Sequence, residues 1–348
     1  MKKYLITGGA GFIGSNFIHY MLDKYKDIFI VNLDKLTYAG NLLNLQDIKN
    51  NKNYKFIKGD ICDSKLTDKL FAQYDFDYVV NFAAESHVDR SIENANIFFE
   101  TNVMGTLNLI QTAMKYWKNS DDSFKSGRKY LQISTDEVYG SLDLDSKTKF
   151  SENTKINPHS PYSSSKASAD LLVKSFYDTY KMPINITRCS NNYGPYQFPE
   201  KLIPLMFSKC MKEEQLPVYG DGKNVRDWIY VLDHCKAIDM VLHKGKVGEI
   251  YNVGGDSEVP NIDLVKKIIH YLSSYNKNIN EKLITYVKDR KGHDRRYAID
   301  FSKIKDNLGF CPTSNFDTSL KMTLDWYLNN KDWLEKIESG EYQNAYKA

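Results

Sequence analysis

Residues 6–15 read "ITGGAGFIGS", and this stretch decides the fold. Four glycines interrupt an apolar run that opens with "KYLIT", so the strand they end is followed at once by a turn and a helix, "SNFIHYMLDKY". Gly8 permits the tight turn, Gly11 lets backbone approach a pyrophosphate, and Gly14 allows close helix–strand packing. Free N–H groups at the helix start would then face the phosphates. Gly-rich turns are common, so the weight rests on the placement between strand and helix. The charged start followed by an apolar run resembles a signal-peptide leader, but the run is short and broken, and it reads as a first strand.

Working outward, the strand "IFIVNLD" ends on Asp34, 20 residues beyond Gly14. An acid there accepts hydrogen bonds from the adenosine ribose and repels a 2′-phosphate, which favours NAD over NADP. Lys35 is a counter-signal, because a base at this place tolerates that phosphate. Asp60, after "YKFIK", is placed to touch the adenine edge, or is a turn acid. "DYVVNFAAE", "KYLQIST" and "PINITRCSN" continue the strands, and helices read at 102–117 and 162–181 alternate with them. The expected fold class is α/β: a Rossmann-type, doubly wound parallel sheet, with binding beyond the C-terminal strand ends.

From about residue 190 the texture turns rich in Asn, Pro and Tyr. The reading places a NAD-binding domain at 1–189, with a return of about 231–256 to the sheet, and a smaller α/β nucleotide-sugar-binding domain at 190–348. Residues 262–275 read as an amphipathic helix and 316–337 as one closing helix. There is no repeat or low-complexity segment.

At 348 residues the chain suits one large or two modest domains, and a net charge of +3 without a basic tail argues against nucleic acid. Five scattered cysteines without CxxC spacing argue for reduced thiols and no metal site. No run approaches the roughly 18 apolar residues of a membrane span, so no membrane partner and a cytoplasmic location are expected.

Chemistry enters with "PYSSSKAS". Tyr162 and Lys166 stand four residues apart on one helix face. A phenol titrates near ~10, so service as a base near neutrality needs a drop of ~3 units, or ~4 kcal/mol. One positive charge at ~4 Å supplies about that much at an effective dielectric of ~20. Lys166 is then barely adequate, and a positively charged nicotinamide would complete the shift. A solvated surface pair is the bland alternative, and the glycine loop upstream weighs against it. In "ISTDEVYG", residues 133–140, Asp136 and Glu137 follow a predicted core strand at its active end. Adjacent carboxylates usually mark a solvated turn; here they sit where chemistry is expected.

These motifs, with "RCSNNYGP", resemble the extended short-chain dehydrogenase/reductase family. "STDEVYG", "FAAESHVDRSI", "DKLTYAGN", "YGPYQFPEKLIP" and "GHDRRYAID" are similar to its branch that 4,6-dehydrates nucleotide sugars, dTDP-glucose in particular. The resemblance implies transient C4 oxidation by NAD, loss of water across C5–C6 and hydride return to C6, the chemistry of deoxysugar pathways such as that to rhamnose. It implies that Thr135 or Ser134 bonds the sugar hydroxyl, Tyr162 takes its proton, Asp136 protonates the departing hydroxyl and Glu137 removes the C5 proton. Lys166 would also hold the nicotinamide ribose. Spacing alone leaves open which acid is donor and which is base.

The resemblance further implies cofactor contacts from Phe12, Ile13, Lys35, Leu36, Thr37, Ile61, Phe82, Ala83, Ala84, Ser86, Thr101 and Asn192. It implies substrate contacts from Ser86, Thr135, Asn191, Lys201, Leu202, Pro217, Val218, Tyr219, Arg226, Asn261, Asp289, Arg290, Lys291, Gly292 and His293. Arg295 and Arg296 offer further guanidinium forks for a diphosphate. Lys291 departs from the proline usual before this glycine, which loosens the expected phosphate loop. The segment after Gly140 is also short. A homodimer through a helical seam at 102–117 and 168–181 is implied as well. The rival functions are a 4-epimerase, a dehydratase of another nucleotide sugar, a nucleotide-sensing Rossmann protein without turnover, and a scaffold. The paired acids speak against the epimerase, and the whole constellation against the last two.

Overall fold

A computed structural model of the chain describes residues 1–346. Its first half alternates strand and helix: β1 (Lys2–Thr7), α1 (Phe12–Lys24), β2 (Ile28–Asp34), β3 (Tyr54–Lys58), α2 (Ser64–Tyr74) and β4 (Tyr78–Asn81). Then come α3 (Val88–Glu93), α4 (Ala95–Phe99), α5 (Thr106–Trp117), β5 (Lys129–Thr135), α6 (Pro161–Tyr180) and β6 (Ile184–Cys189). The second half holds β7 (Asn191–Tyr193), α7 (Leu202–Met211), β8 (Leu216–Tyr219), β9 (Val225–Tyr230), α8 (Val231–Lys244) and β10 (Ile250–Val253). It ends with β11 (Glu258–Pro260), α9 (Asn261–Leu272), β12 (Ile284–Val287), α10 (Ser302–Leu308), α11 (Phe316–Asn329) and α12 (Lys331–Glu338).

Seven parallel strands form the main sheet in the order β10-β6-β5-β4-β1-β2-β3. The winding reverses between β1 and β4, and that switch point opens the crevice in which such sheets bind ligands. β5 is buried along its whole length, as expected of a central strand covered by helices on both faces. Helix α8 and strand β10 lie on this sheet, with Cys235, Ile238, Val241 and Leu242 joining the core under β1 and β6. A three-stranded sheet, β11-β9-β7, and the pair β12-β8 carry the rest around a second core from Tyr193, Phe207, Trp228 and Leu324.

Local chemistry explains the ends that matter. Ser160 caps α6, its hydroxyl accepting from the Ser163 N–H while Ser163 reaches back, and Pro161 fills the first helical position. Asp63 caps α2 by accepting from Lys65 and Leu66. Between α4 and α5, residues 100–105 form a π turn, a geometry that tends to occur at functional sites. It turns Asn102 inward, where its amide bonds Ser165 Oγ at 2.8 Å and both backbone groups of Glu85.

Two expectations of local structure are corrected. The closing helix is two, broken at Asn330, which lies outside helical geometry (φ −126°, ψ 43°). Helices α2 and α7 were not expected: α2 has few apolar residues, and α7 sits in a stretch whose Pro residues read as loop.

Candidate active site

The glycine loop forms as its spacing requires. Gly8 adopts φ +67°, and a Cβ there would meet Ala83 N at 2.6 Å. A Cβ on Gly14 would meet Gly8 O at 2.4 Å, whereas one on Gly11 would meet only that oxygen, at 3.3 Å. The Gly11 backbone therefore faces open space. No side chain caps α1, so its first N–H groups stay available to an anion. Asp34 braces the loop, accepting from Ala10 N at 2.9 Å and Leu36 N at 2.8 Å. These residues fit a dinucleotide. Lys35 is paired with Asp60 at 2.7 Å, so its charge is engaged across the strand ends.

A cavity of about 310 Å³ runs from this loop across the C-terminal strand ends. Its wall brings together Gly8, Gly11, Phe12, Ile13, Gly14, Asp34, Lys35, Thr37, Asp60 and Ile61 with Phe82, Ala83, Ala84, Ser86 and Thr101. Thr135, Glu137, Tyr162, Lys166, Asn191, Asn192 and Lys201 complete it from the other side. Leu36 is not in the wall: it takes φ +56° and packs on the core beneath.

β5 delivers the acids. It ends at Thr135, whose hydroxyl accepts from Glu137 N at 3.3 Å and caps a single 3-10 turn over Asp136–Tyr139. Asp136 is only 1 % exposed, receives the Thr135 hydroxyl at 3.3 Å, and its Oδ2 has no partner among the described residues. Burial first, then the neighbouring Glu137 charge, pushes the Asp136 carboxyl well above the usual range. Burial also raises Glu137, but Arg290, Arg226 and Lys201 oppose it. The two acids thus sit in different fields. Asp136, opposed only by Arg226 and the Thr135 hydrogen bond, is the one favoured to hold a proton, and Glu137 the one with more cations near it.

Helix α6 brings Tyr162 and Lys166 to the same cavity. A buried Arg188–Asp170 ion pair at 2.8 Å locks α6 against β6. Lys166 is buried, and its Nζ donates to Ile133 O at 2.7 Å. Burial, then Glu137, lifts the Tyr162 phenol well above its ordinary value, and only the Thr135 hydrogen bond works visibly against that. Lys166 keeps its charge while one ammonium hydrogen goes to the strand carbonyl, and the burial of the phenol leaves a need for the second positive charge expected from the nicotinamide.

The proposed substrate residues form a second cluster, largely outside the cavity wall. His293 Nδ1 lies 2.5 Å from Asp289 Oδ1, beside the Tyr219 ring, and burial pushes the imidazole down to about 4. Val218 and Pro217 belong to β8, which pairs with β12, while Asn261 opens α9 and Leu202 opens α7. Arg290 has a buried Nε without a partner among the described residues. Lys291 and Gly292 are exposed on the same loop. Arg226 is mostly committed, bonding Asp294 O and Val225 O and stacking on Tyr297. Arg295 pairs with Asp221 and Arg296 with Glu258, so neither offers a free fork as expected; intramolecular carboxylates take them first.

The wall also holds residues that sequence reasoning missed, among them Glu85, Cys189, Gln197, Phe198 and Glu200. Glu85 follows β4 at its C-terminal end, a place where the strand reading could have found it. Glu200 lies in an aperiodic loop and gives no such signal. Among the described residues, no cluster of His, Cys, Asp and Glu could hold a metal ion, and no helix is long and apolar enough to cross a membrane.

Residues 5–323 match the family model described as GDP-mannose 4,6 dehydratase. A curated relative from Xanthomonas campestris pv. campestris, named dTDP-glucose 4,6-dehydratase, is 51% identical over 347 residues, covering 99% of this chain and 98% of its own. A dTDP-glucose 4,6-dehydratase from Bacillus anthracis, solved in complex with NAD, superposes with a TM-score of 0.87 at 47% identity, over 97% of this chain and 100% of its own. One from Streptomyces venezuelae, solved with NAD and TYD bound, gives 0.88 at 42% identity, over 96% and 99%.

Proposed function

The chain belongs to the family described as GDP-mannose 4,6 dehydratase, and on that premise we propose that it is an NAD-dependent hydro-lyase that converts dTDP-glucose into the 4-keto-6-deoxy sugar. The observation that carries this reading is the Asp136–Glu137 pair at the end of a buried strand: Glu137 lines the cavity that Tyr162, Lys166 and the glycine loop share, and Asp136 is buried next to it, behind the wall. A 4-epimerase has no use for such a pair.

The glycine loop, Asp34 and Lys166 would hold NAD, which would supply reversible hydride acceptance, so that C4 would be a ketone while C5 and C6 react. Tyr162 receives the C4 hydroxyl proton, with Thr135 bonding the same oxygen. The ketone acidifies C5–H, and Glu137 removes that proton. Asp136, kept protonated by burial, gives its proton to the C6 hydroxyl as it leaves as water. Bound NAD would supply the hydride for C6, and a proton would return to C5, so the sugar would be rearranged without net oxidation. Lys201, Arg290 and His293, with Tyr219 and Asn261, are assigned to the nucleotide diphosphate. Residues 1–189 with 231–256 are assigned to the cofactor, and 190–348 to the sugar nucleotide. We also place the chain in the cytoplasm as a homodimer, serving deoxysugar synthesis of the rhamnose type.

The test is incubation with C4-deuterated dTDP-glucose and, separately, with unlabelled substrate in deuterated water. The expected product carries the C4 label at C6 and solvent deuterium at C5. A product inverted at C4 with its C6 hydroxyl intact would make the protein an epimerase instead.

A further inference from the structure

The reaction outlined above makes no use of His234, a fully buried imidazole on the first turn of α8. Its Nδ1 lies 2.8 Å from Asn192 Oδ1. The neighbours determine where the protons are. The other end of the Asn192 amide meets Ser190 O at 3.0 Å and Cys189 Sγ at 3.4 Å. A carbonyl oxygen only accepts, so that end is the NH2, and the end facing the histidine is the oxygen. His234 Nδ1 therefore donates, and Nε2 is left as a bare acceptor with no partner among the described residues. Burial, which pushes the ring down to about 3, keeps it neutral.

A phenyl ring would carry no bare acceptor of its own but would leave Asn192 Oδ1 without its donor. The imidazole is retained for the one hydrogen bond it makes. That bond orients an amide which ties together the segment where the chain leaves β6 for β7. The Asn192 backbone oxygen also accepts from Gln197 Nε2 at 2.8 Å. Cys189, Ser190, Asn192 and Gln197 all belong to the cavity wall that Tyr162 and Lys166 share.

We propose that His234 is a positioning residue: by holding the Asn192 amide it sets the Cys189–Gln197 wall of the cofactor cavity. This rests on the reading of that cavity as an NAD site. His234→Phe exchanges one orphaned acceptor, Nε2, for another, Asn192 Oδ1, so the melting midpoint should barely move. The amide is then free to turn, and NAD should bind the stripped full-length protein about five- to tenfold more weakly, the worth of one buried hydrogen bond. Asn192→Ala should show the same loss, and the double variant should be no worse than Asn192→Ala alone. His234→Asn, which puts an amide donor near the Nδ1 position, should recover most of the affinity and serves as the probe should the phenylalanine variant fail to fold. Unchanged NAD affinity in His234→Phe with a normal melting curve, no recovery by His234→Asn, or losses that add in full with Asn192→Ala would each overturn the role. Wild-type protein that binds no NAD would instead overturn the cofactor reading, and this proposal with it.

Discussion

Tyr38 donates its hydroxyl to Glu200 Oε1 at 3.0 Å, joining two loops 162 residues apart in sequence. Thr37, Ala39 and Gly40 wall the cavity on the tyrosine side, Phe198 and Lys201 on the glutamate side, so the bond crosses the cavity rim. The Arg90 guanidinium stacks 3.8 Å from the Tyr38 ring centroid, and the Tyr342 hydroxyl donates to Tyr38 O. Burial lifts the Tyr38 phenol, which keeps it a donor at every working pH. Tyr38→Phe removes only the hydroxyl. A net hydrogen bond of ~0.5–1.5 kcal/mol corresponds to NAD leaving about two- to tenfold faster. Displacement kinetics of bound NAD check this, and an unchanged off-rate means the rim does not hold the cofactor.

Glu137→Gln separates the oxidation from the elimination. The amide keeps the shape but accepts no proton from C5, so the variant should still reduce bound NAD on mixing with substrate and then stall. Overall turnover should fall by about 10²–10⁴-fold, the usual worth of a positioned base. The pH dependence has a definite sign. Glu137 must be ionised, so activity is lost as pH falls through a value that burial sets above the ordinary carboxylate range. Asp136 must be protonated, so its limb lies on the alkaline side, and burial moves that limb upward. Full dehydration by Glu137→Gln would remove Glu137 from the role of base.

The proposed homodimer has an apolar face available. Leu171 on α6 is 59 % exposed and Met104, in the π turn, 56 %, with Phe99 and Ile92 also exposed on the adjoining α4 and α3. Large apolar side chains gathered on neighbouring helices are what a helical seam presents. Leu171→Asp should shift the mass seen in sedimentation from dimer to monomer, through the cost of burying an unpaired carboxylate. A dimer that survives this change uses another surface.

The parts of this site that were legible in sequence are those set by local rules. Gly8, Gly11 and Gly14 are constrained by one turn and one helix start, and Tyr162 and Lys166 by a single helix face behind a Ser–Pro start. What stayed hidden depends on distant partners. Lys166 reads as a charge available to Tyr162, and nothing local announces that its ammonium also donates to Ile133 O on another element. Arg295 and Arg296 read as phosphate forks because nothing local announces Asp221 or Glu258 as their partners. Glu200 and Tyr38 meet through two aperiodic loops, and nothing local to His234 announces the Asn192 amide that it meets.

Far from the cavity, Asp239 on α8 gathers Lys24 at 2.5 Å, His243 at 2.8 Å and the hydroxyls of Tyr20 and Tyr25, with its own side chain 2 % exposed. Burial pushes this carboxyl up, but the hydrogen bonds from His243 and Lys24, with the charges of the same two groups, together outweigh burial and bring it from 3.8 down to about 2. A depressed folded value means the stabilisation is fully present above the unfolded value of 3.8 and is lost as pH falls through about 2. The difference of almost two units corresponds to about 2 kcal/mol. Asp239→Asn should therefore lower the unfolding free energy by about that much at neutral pH in urea titrations. The gap to wild type should hold down to the ordinary carboxylate range and then narrow with further acidification. A gap that is the same at both ends of the pH series would show that Asp239 stabilises α1 against α8 by packing, not by its charge.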